Sequence, residues 1–303
     1  MNIATALKSD RVCKALTGLR IREFQALADS FQRNFLDAKA KQRPNRKRKI
    51  GGGRRGTIPQ IEEKLFTALI YLKCYPTYDL LGFLIGLDRT RAWRWIQRLF
   101  PVLQTTLGHE LVLPKRQIHS VEEFLTHFPE VKDVFIDGTD RRIQKPKNIR
   151  RRNKLYSGKR KTVTRKNVVI VDENRRVLVL SKTKSGRRHD KKVADNVLRL
   201  DLLPPEVAAW LDTGFAGVQK YHANVQLPKK RSRGHPLSHE EKENNRIISS
   251  FRVIAEHALA GIKRLRSTTD VYRNRIPNFD DRLMLLSAGI WNYHLKVAAY
   301  PTA

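Results

Sequence analysis

Val134-Phe135-Ile136-Asp137-Gly138-Thr139 and, later in the chain, Val207-Ala208-Ala209-Trp210-Leu211-Asp212-Thr213-Gly214-Phe215 are the stretches that decide the fold. Each is a short apolar run that ends in an aspartate, with a glycine within two residues of it. Runs of this length, rich in β-branched and aromatic side chains and bounded by turn residues, read as strands. Between them lie Val168–Val171 and Val177–Leu180, separated by Asp172-Glu173-Asn174, a hairpin signal. Their apolar character is unbroken rather than alternating, which predicts strands covered on both faces. His189-Asp190 then opens a helix through Leu198. Ser238, with Glu241 three residues later, makes a capping box for a long helix to about Leu265, and an apolar helix spans 283–297. Three strands, helix, strand, helix is an α/β order that fits a ribonuclease-H-like core.

Upstream the pattern is helical. Ile21, Phe24, Leu27, Ala28, Phe31 and Phe35 recur at helical spacing, a helix that packs or contacts a second copy. Three segments follow, about Ile61–Leu72, about Thr77–Leu84 ending at Gly86, and about Arg89–Phe100 with Asp88 as N-cap. Helix, glycine-containing turn, helix is the helix-turn-helix arrangement. In the third segment Ala92, Ile96 and Leu99 form the apolar stripe with Trp95 at its edge. Thr90, Arg91, Arg94, Gln97 and Arg98 face outward. The arginines suit guanine edges or phosphates, and the glutamine suits adenine. The expected division is an N-terminal helix and basic linker over 1–56, a helix-turn-helix domain over 57–115 and an α/β domain over 116–303.

The 303 residues carry 61 Lys+Arg against 29 Asp+Glu, a formal net charge of +32, with 40% hydrophobic residues. That apolar fraction is enough for ordinary cores and excludes a disordered basic tail. The charge argues against a small-molecule enzyme, because it repels itself unless a polyanion neutralises it. Residues 39–55 hold nine Lys/Arg and no acid, and Pro44 with Gly51–Gly53 excludes a regular helix there. This stretch reads as an arm lying along phosphates, centred on Arg46, Lys47, Arg48 and Lys49. A solvated linker or localisation tract is the plainer alternative. Residues 141–192 net +18 on strand patterns, a folded basic face of the kind that binds duplex, with Lys159 and Lys166 expected on DNA.

Cys13 and Cys74 are far apart and outside any CxxC, so neither a disulfide framework nor a zinc finger is expected. His235 and His239 have helical metal spacing, but Gly234 and Pro236 oppose a helix there, so they read as loop. No apolar run approaches the ~18 residues of a membrane span, and the first residues lack a signal peptide's apolar stretch. The expectation is a soluble chain of a reducing, bacterial cytoplasm.

Among 29 acids many triples exist, and context singles out three. Asp137 and Asp212 stand at the carboxyl ends of apolar strands, before what read as glycine turns, where α/β folds place ligand sites. Glu256 lies on the long helix. Taking Ile247, Phe251, Ile254, Ala258, Ile262 and Leu265 as its apolar stripe, Asn245, Arg252, Glu256 and Lys263 fall opposite. A solvent-facing polar face is the plain alternative for that side. Three carboxylates in a basic protein suit phosphodiester chemistry on two divalent ions, Mg²⁺ or Mn²⁺, with Lys and Arg offsetting transition-state charge.

These residues resemble the DDE transposases of the IS5 group, within the IS4/IS5 and Harbinger-like superfamily, over roughly residues 15–297. The matching stretches are Phe135-Ile136-Asp137-Gly138-Thr139, Tyr156-Ser157-Gly158-Lys159 leading to Lys166-Asn167, and Gly186 followed by His189-Asp190. After them come Leu211-Asp212-Thr213-Gly214-Phe215-Ala216-Gly217, Asn245-Arg246, and Arg252, Glu256 and Lys263 in their spacing. The resemblance implies that Asp137, Asp212 and Glu256 are the metal-binding catalytic triad and that Arg252 and Lys263 support the glutamate. Where the related signature often has a tyrosine three residues before the arginine, this chain has Ser249, so no role of that tyrosine carries over. The implied activity is DNA transposition: binding of terminal inverted repeats, cleavage at the element end, and joining of the 3′-hydroxyl to target DNA. The implied partners are double-stranded DNA and further copies of the chain, with no nucleotide cofactor and no membrane. A nuclease without strand transfer, or a non-catalytic DNA-binding descendant, are the alternatives.

Overall fold

The structure is a computed structural model that describes residues 3–42, 56–231 and 236–299. Arg46, Lys47, Arg48 and Lys49 of the arm, and His235, lie outside the described residues. The chain divides into two compact units, one of residues 1–113, 263–268 and 286–303, the other of 114–262 and 269–285. The N-terminal helices and residues 286–303 thus belong to one unit.

The helical unit begins with α1 (Ile3–Ala6), α2 (Asp10–Thr17), α3 (Ile21–Gln42), α4 (Ile61–Cys74), α5 (Tyr78–Ile85) and α6 (Arg89–His109). The α3 helix buries Phe24, Leu27, Ala28, Phe31 and Phe35, as their spacing predicts. In α4 every residue from Lys64 to Leu72 is buried, so it is the central helix, with Phe66 edge-on to Phe24 at 5.9 Å. Thr77 Oγ1 accepts from the Leu80 amide to open α5, and Gly86 closes it in the left-handed region at φ 69°. Asp88 Oδ1 then accepts from the Arg91 amide at 2.9 Å. A Cβ on Gly82 would stand 2.4 Å from the Leu87 carbonyl oxygen, so the turn closes only over glycine. Cys13 and Cys74 form no disulfide.

The α6 helix does not stop at Phe100; it runs through Pro101 to His109. Pro101 removes the amide that would bond the Gln97 carbonyl, at a cost of about 3 kcal/mol. Leu103 and Leu107 beyond it are fully buried. Burial of such side chains contributes roughly 1.5–3 kcal/mol each, which offsets the break.

The α/β unit contains α7 (Val121–His127), β1 (Asp133–Arg142), α8 (Ile149–Leu155), β2 (Tyr156–Ser157), β3 (Thr162–Val171), β4 (Val177–Leu180) and β5 (Lys184–Ser185). After them come α9 (Asp190–Val193), β6 (Ala208–Leu211), β7 (Val225–Gln226) and α10 (His239–Lys263). The sheet runs β2-β3-β1-β6-β7, with β4 and β5 also pairing β3. The β1–β3 and β3–β4 pairs are antiparallel, while β1–β6 and β6–β7 are parallel. This is the mixed, ribonuclease-H-like sheet expected from the element order. Val168–Val171 and Val177–Leu180 are buried throughout, so the unbroken apolar runs do mark strands covered on both faces. One face packs Val134, Ile136, Val168, Ile170, Ala209 and Leu211 against Val193, Leu198, Phe215 and Val218.

Two expectations change. First, β1 does not turn at Gly138. It continues to Arg142, paired to β3 from Phe135↔Val171 to Arg142↔Thr164. Second, α10 buries Ile248, Ala255, Ala258, Leu259 and Ile262, while Ile247 and Phe251 are exposed. Its buried face is thus rotated by roughly 60°, at 100° per residue, from the one periodicity selects. Arg252 and Glu256 flank that face instead of opposing it. The Ser238–Glu241 capping box is present, with both bonds made.

The last helix, α11 (Phe279–Ala299), is buried from Leu283 to Ile290, as its all-round apolar character predicts. Among the described residues no helix is long and apolar enough to cross a membrane.

Candidate active site

Parallel pairing of β1 and β6 ends at Ile136↔Leu211. The next residues, Asp137 and Asp212, therefore stand side by side, Asp137 midway along β1 and Asp212 just past the carboxyl end of β6. Each is held by the chain just beyond it. Asp137 Oδ1 accepts from the Gly138 amide at 2.7 Å, and Asp212 Oδ1 from the Thr213 amide at 2.6 Å. Burial above all pushes the Asp137 carboxyl above the usual carboxylate range. The Gly138 amide and Arg252 pull it back, the charge of Asp212 raises it further, and Lys159 lowers it.

The Trp210 ring of β6 lies tilted against Phe251 of α10, with centroids 4.4 Å apart, which seats the helix over the end of β6. Arg252 follows, with Nη1 3.8 Å from Asp212 Oδ1. Glu256 stands one turn further on the same side and is exposed. Lys263 closes α10, about 10 Å beyond Glu256 along the axis, and is grouped with the helical unit. The fold thus brings Asp137, Asp212 and Arg252 together, with Glu256 at the margin. Asp140 lies three residues along β1, so it points to the opposite face of the pleat. Its carboxylate takes Thr164 Oγ1 at 2.9 Å and Arg160 at 3.8 Å.

Asp190 is a further neighbour, one with no expected role in the site. A Cβ on Gly138 would stand 2.9 Å from its Oδ1, and one on Gly214 would stand 3.8 Å from its Oδ2. The glycines that follow Asp137 and Asp212 thus leave room for a third carboxylate. Lys166 Nζ approaches Asp190 Oδ1 at 2.8 Å, a charge contact without hydrogen-bond alignment, and donates to the Arg188 carbonyl at 2.8 Å. Lys159 Nζ lies 3.8 Å from Oδ2. Lys166 is therefore an internal cation, 4% exposed, and not a surface phosphate contact. Gly186 fixes the approach of this segment. A Cβ there would overlap Thr164 Oγ1 at 1.8 Å, and the Gly186 amide donates to the Thr164 carbonyl. The glycine before His189-Asp190 was the available signal.

The donor set suits a hard divalent cation. Two adjacent carboxylates, one raised by burial and by the other's charge, lose repulsion when a cation lies between them. Mg²⁺ commonly uses one or two carboxylates and fills its shell with water and phosphate oxygens. Among the described residues no three His, Cys, Asp or Glu side chains are grouped for one ion.

In the helical unit, Arg91, Arg94 and Arg98 are exposed on α6, with Arg91 3.2 Å from Asp88. Gln97 is half-buried, and among the described residues its buried amide nitrogen has no hydrogen-bond partner.

A family model for DDE superfamily endonucleases matches residues 136–292, and one for the helix-turn-helix of DDE superfamily endonucleases matches 60–108. The chain is also 27% identical over 291 residues to a protein named probable transposase for insertion sequence element IS702, from Microchaete diplosiphon. That alignment covers 95% of this chain and 96% of the relative. No solved structure matches. With its two aspartates side by side on adjacent strands and a helix-turn-helix before them, the chain belongs to the DDE superfamily of endonucleases.

Proposed function

We propose that this protein is a transposase of the IS5 group that cuts DNA at its element's ends and joins the freed 3′-hydroxyl to target DNA. The observation that carries the reading is the register of β1 and β6, which sets Asp137 and Asp212 side by side under Arg252. The named relative supports transposition over simple cleavage. Asp137 and Asp212 would anchor divalent ions, Mg²⁺ or Mn²⁺, and Glu256 would complete the set from α10. Such ions, when bound, activate an attacking oxygen and stabilise the leaving one. Arg252, beside Asp212, and Lys263 would serve as the basic partners of Glu256. Water attacks in the first step and the 3′-hydroxyl in the second, so one site serves both and no covalent protein–DNA intermediate forms.

Arg91, Arg94, Gln97 and Arg98 of α6 would read the terminal repeats, while Arg46, Lys47, Arg48 and Lys49 follow the backbone. Handling two ends at once calls for an assembly of at least two copies on DNA, in the compartment where bacterial DNA lies. The test is cleavage and joining of DNA carrying the element's ends. Asp137→Asn and Asp212→Asn should each lower cleavage by roughly 10²- to 10³-fold, on the order of one lost charge stabiliser, and leave DNA binding intact. Glu256→Gln should do the same. Retained cleavage in any of the three removes that residue from the set. Cleavage without joining of pre-cut ends favours a plain nuclease.

A further inference from the structure

A cavity of about 900 Å³ opens beside Asp212 in the α/β unit, walled by Tyr156, Lys159, Arg187, Arg188 and Lys230 among others. A second, of about 440 Å³, shares Arg187, Arg188 and His189 and adds Lys154 and Lys192. The two form one basic track that ends at a candidate catalytic carboxylate. Arg187, Arg188 and Lys230 are exposed, and none pairs with an acid among the described residues. The acid on the cavity floor, Asp190, is already met by Lys166 and Lys159. Tyr156 stands on β2 where Ser157 turns inward, and the residue is 44% exposed in this cationic wall.

An exposed aromatic face among free cations is the pattern that holds unpaired nucleic acid. Bases stack on the ring while phosphates lie on the Lys and Arg side chains. Inside an uninterrupted duplex both faces of each base are covered, so a ring at the wall of a cleft has nothing to stack on.

We propose that this cleft takes a short unpaired stretch of the DNA strand being cut, with one base stacked on Tyr156 and the neighbouring phosphates on Arg187, Arg188 and Lys230. The inference rests on the reading of Asp212 as a catalytic residue, and it adds that the DNA end is opened before or during the chemistry. Strand separation at the cut site then becomes part of recognition.

The test uses the full chain in EDTA, so that no cleavage is read. The probes are a ten-nucleotide oligothymidylate with one 5-iododeoxyuridine and a blunt duplex with the same label. Irradiation should crosslink the single strand to Tyr156, located by peptide mass spectrometry, and the duplex should not reach that residue. Tyr156→Ala should weaken single-strand binding roughly 5- to 100-fold, the range of one stacked base, with duplex binding unchanged. Tyr156→Phe should bind as the parent does. Crosslinks found only elsewhere, equal crosslinking from duplex, or a Tyr156→Ala protein that keeps or loses both DNAs alike would overturn the proposal. If the crosslink forms and Asp212→Asn still cleaves, the strand site stands and the catalytic assignment fails.

Discussion

At Asp137 burial works against charge, and the consequence can be measured. A carboxyl whose folded pKa lies above its unfolded value binds more protons when folded, so stability falls as pH rises between the two values. The ionised side chain therefore costs stability at neutral pH, and a cation between Asp137 and Asp212 removes that cost. Asp137→Asn should gain in melting temperature relative to the parent on going from pH 3.5 to 7. Mg²⁺ should raise the parent at pH 7 and leave the variant unmoved. A constant difference across this range would show that the site is not destabilised by its charge. Gly186 makes the complementary case, because nothing but hydrogen fits against Thr164. Gly186→Ala should cost about 1–3 kcal/mol as an overpacked contact, and calorimetry should show a fall of a few degrees. The sequence shows a glycine here but not the oxygen that requires it.

Elements were legible where their determinants are local. Thr77, Asp88 and Ser238 cap their helices through hydrogen bonds to residues three positions on, a relation written in the chain itself. The end of α6 was not legible. Pro101 is a local stop signal, and what overrides it is burial of Leu103 and Leu107 by residues distant in sequence. The α10 helix has the same cause in another form, since its apolar residues cover more than half a turn and only the packing selects which arc is buried. Within the helix-turn-helix, Gly82 is the test. Gly82→Ala drives a Cβ into the Leu87 carbonyl at 2.4 Å. It should cost about 1–3 kcal/mol and weaken binding to the element ends in a gel-shift assay, with the α/β unit's catalysis on pre-bound ends spared.

Over the whole molecule most of the net charge of +32 falls in two stretches of sequence, residues 39–55 and 141–192. Under the proposed function they make separable contributions to binding. Neutralising Arg46–Lys49 removes up to four phosphate contacts, so the slope of log K against log salt should flatten by up to about 3.6, at 0.9 per contact on duplex DNA. Affinity should fall alike for all sequences. Arg94→Ala on α6 should instead alter preference among sequences and move the slope by about 1 at most. If Arg94→Ala acts equally on every DNA, the helix is scaffold and not reader.

The sequence by itself determined the element order, the helix-turn-helix, and the two aspartates that follow apolar strand runs, because these depend on periodicity and on neighbours a few residues apart. Only the tertiary structure decided that β1 passes straight through Gly138, that α10 turns Arg252 toward Asp212, and that Lys166 is sealed against Asp190. Those facts are set by strand register and by packing between segments tens of residues apart. At such separations the chain specifies which groups are available, and the sheet decides which of them meet.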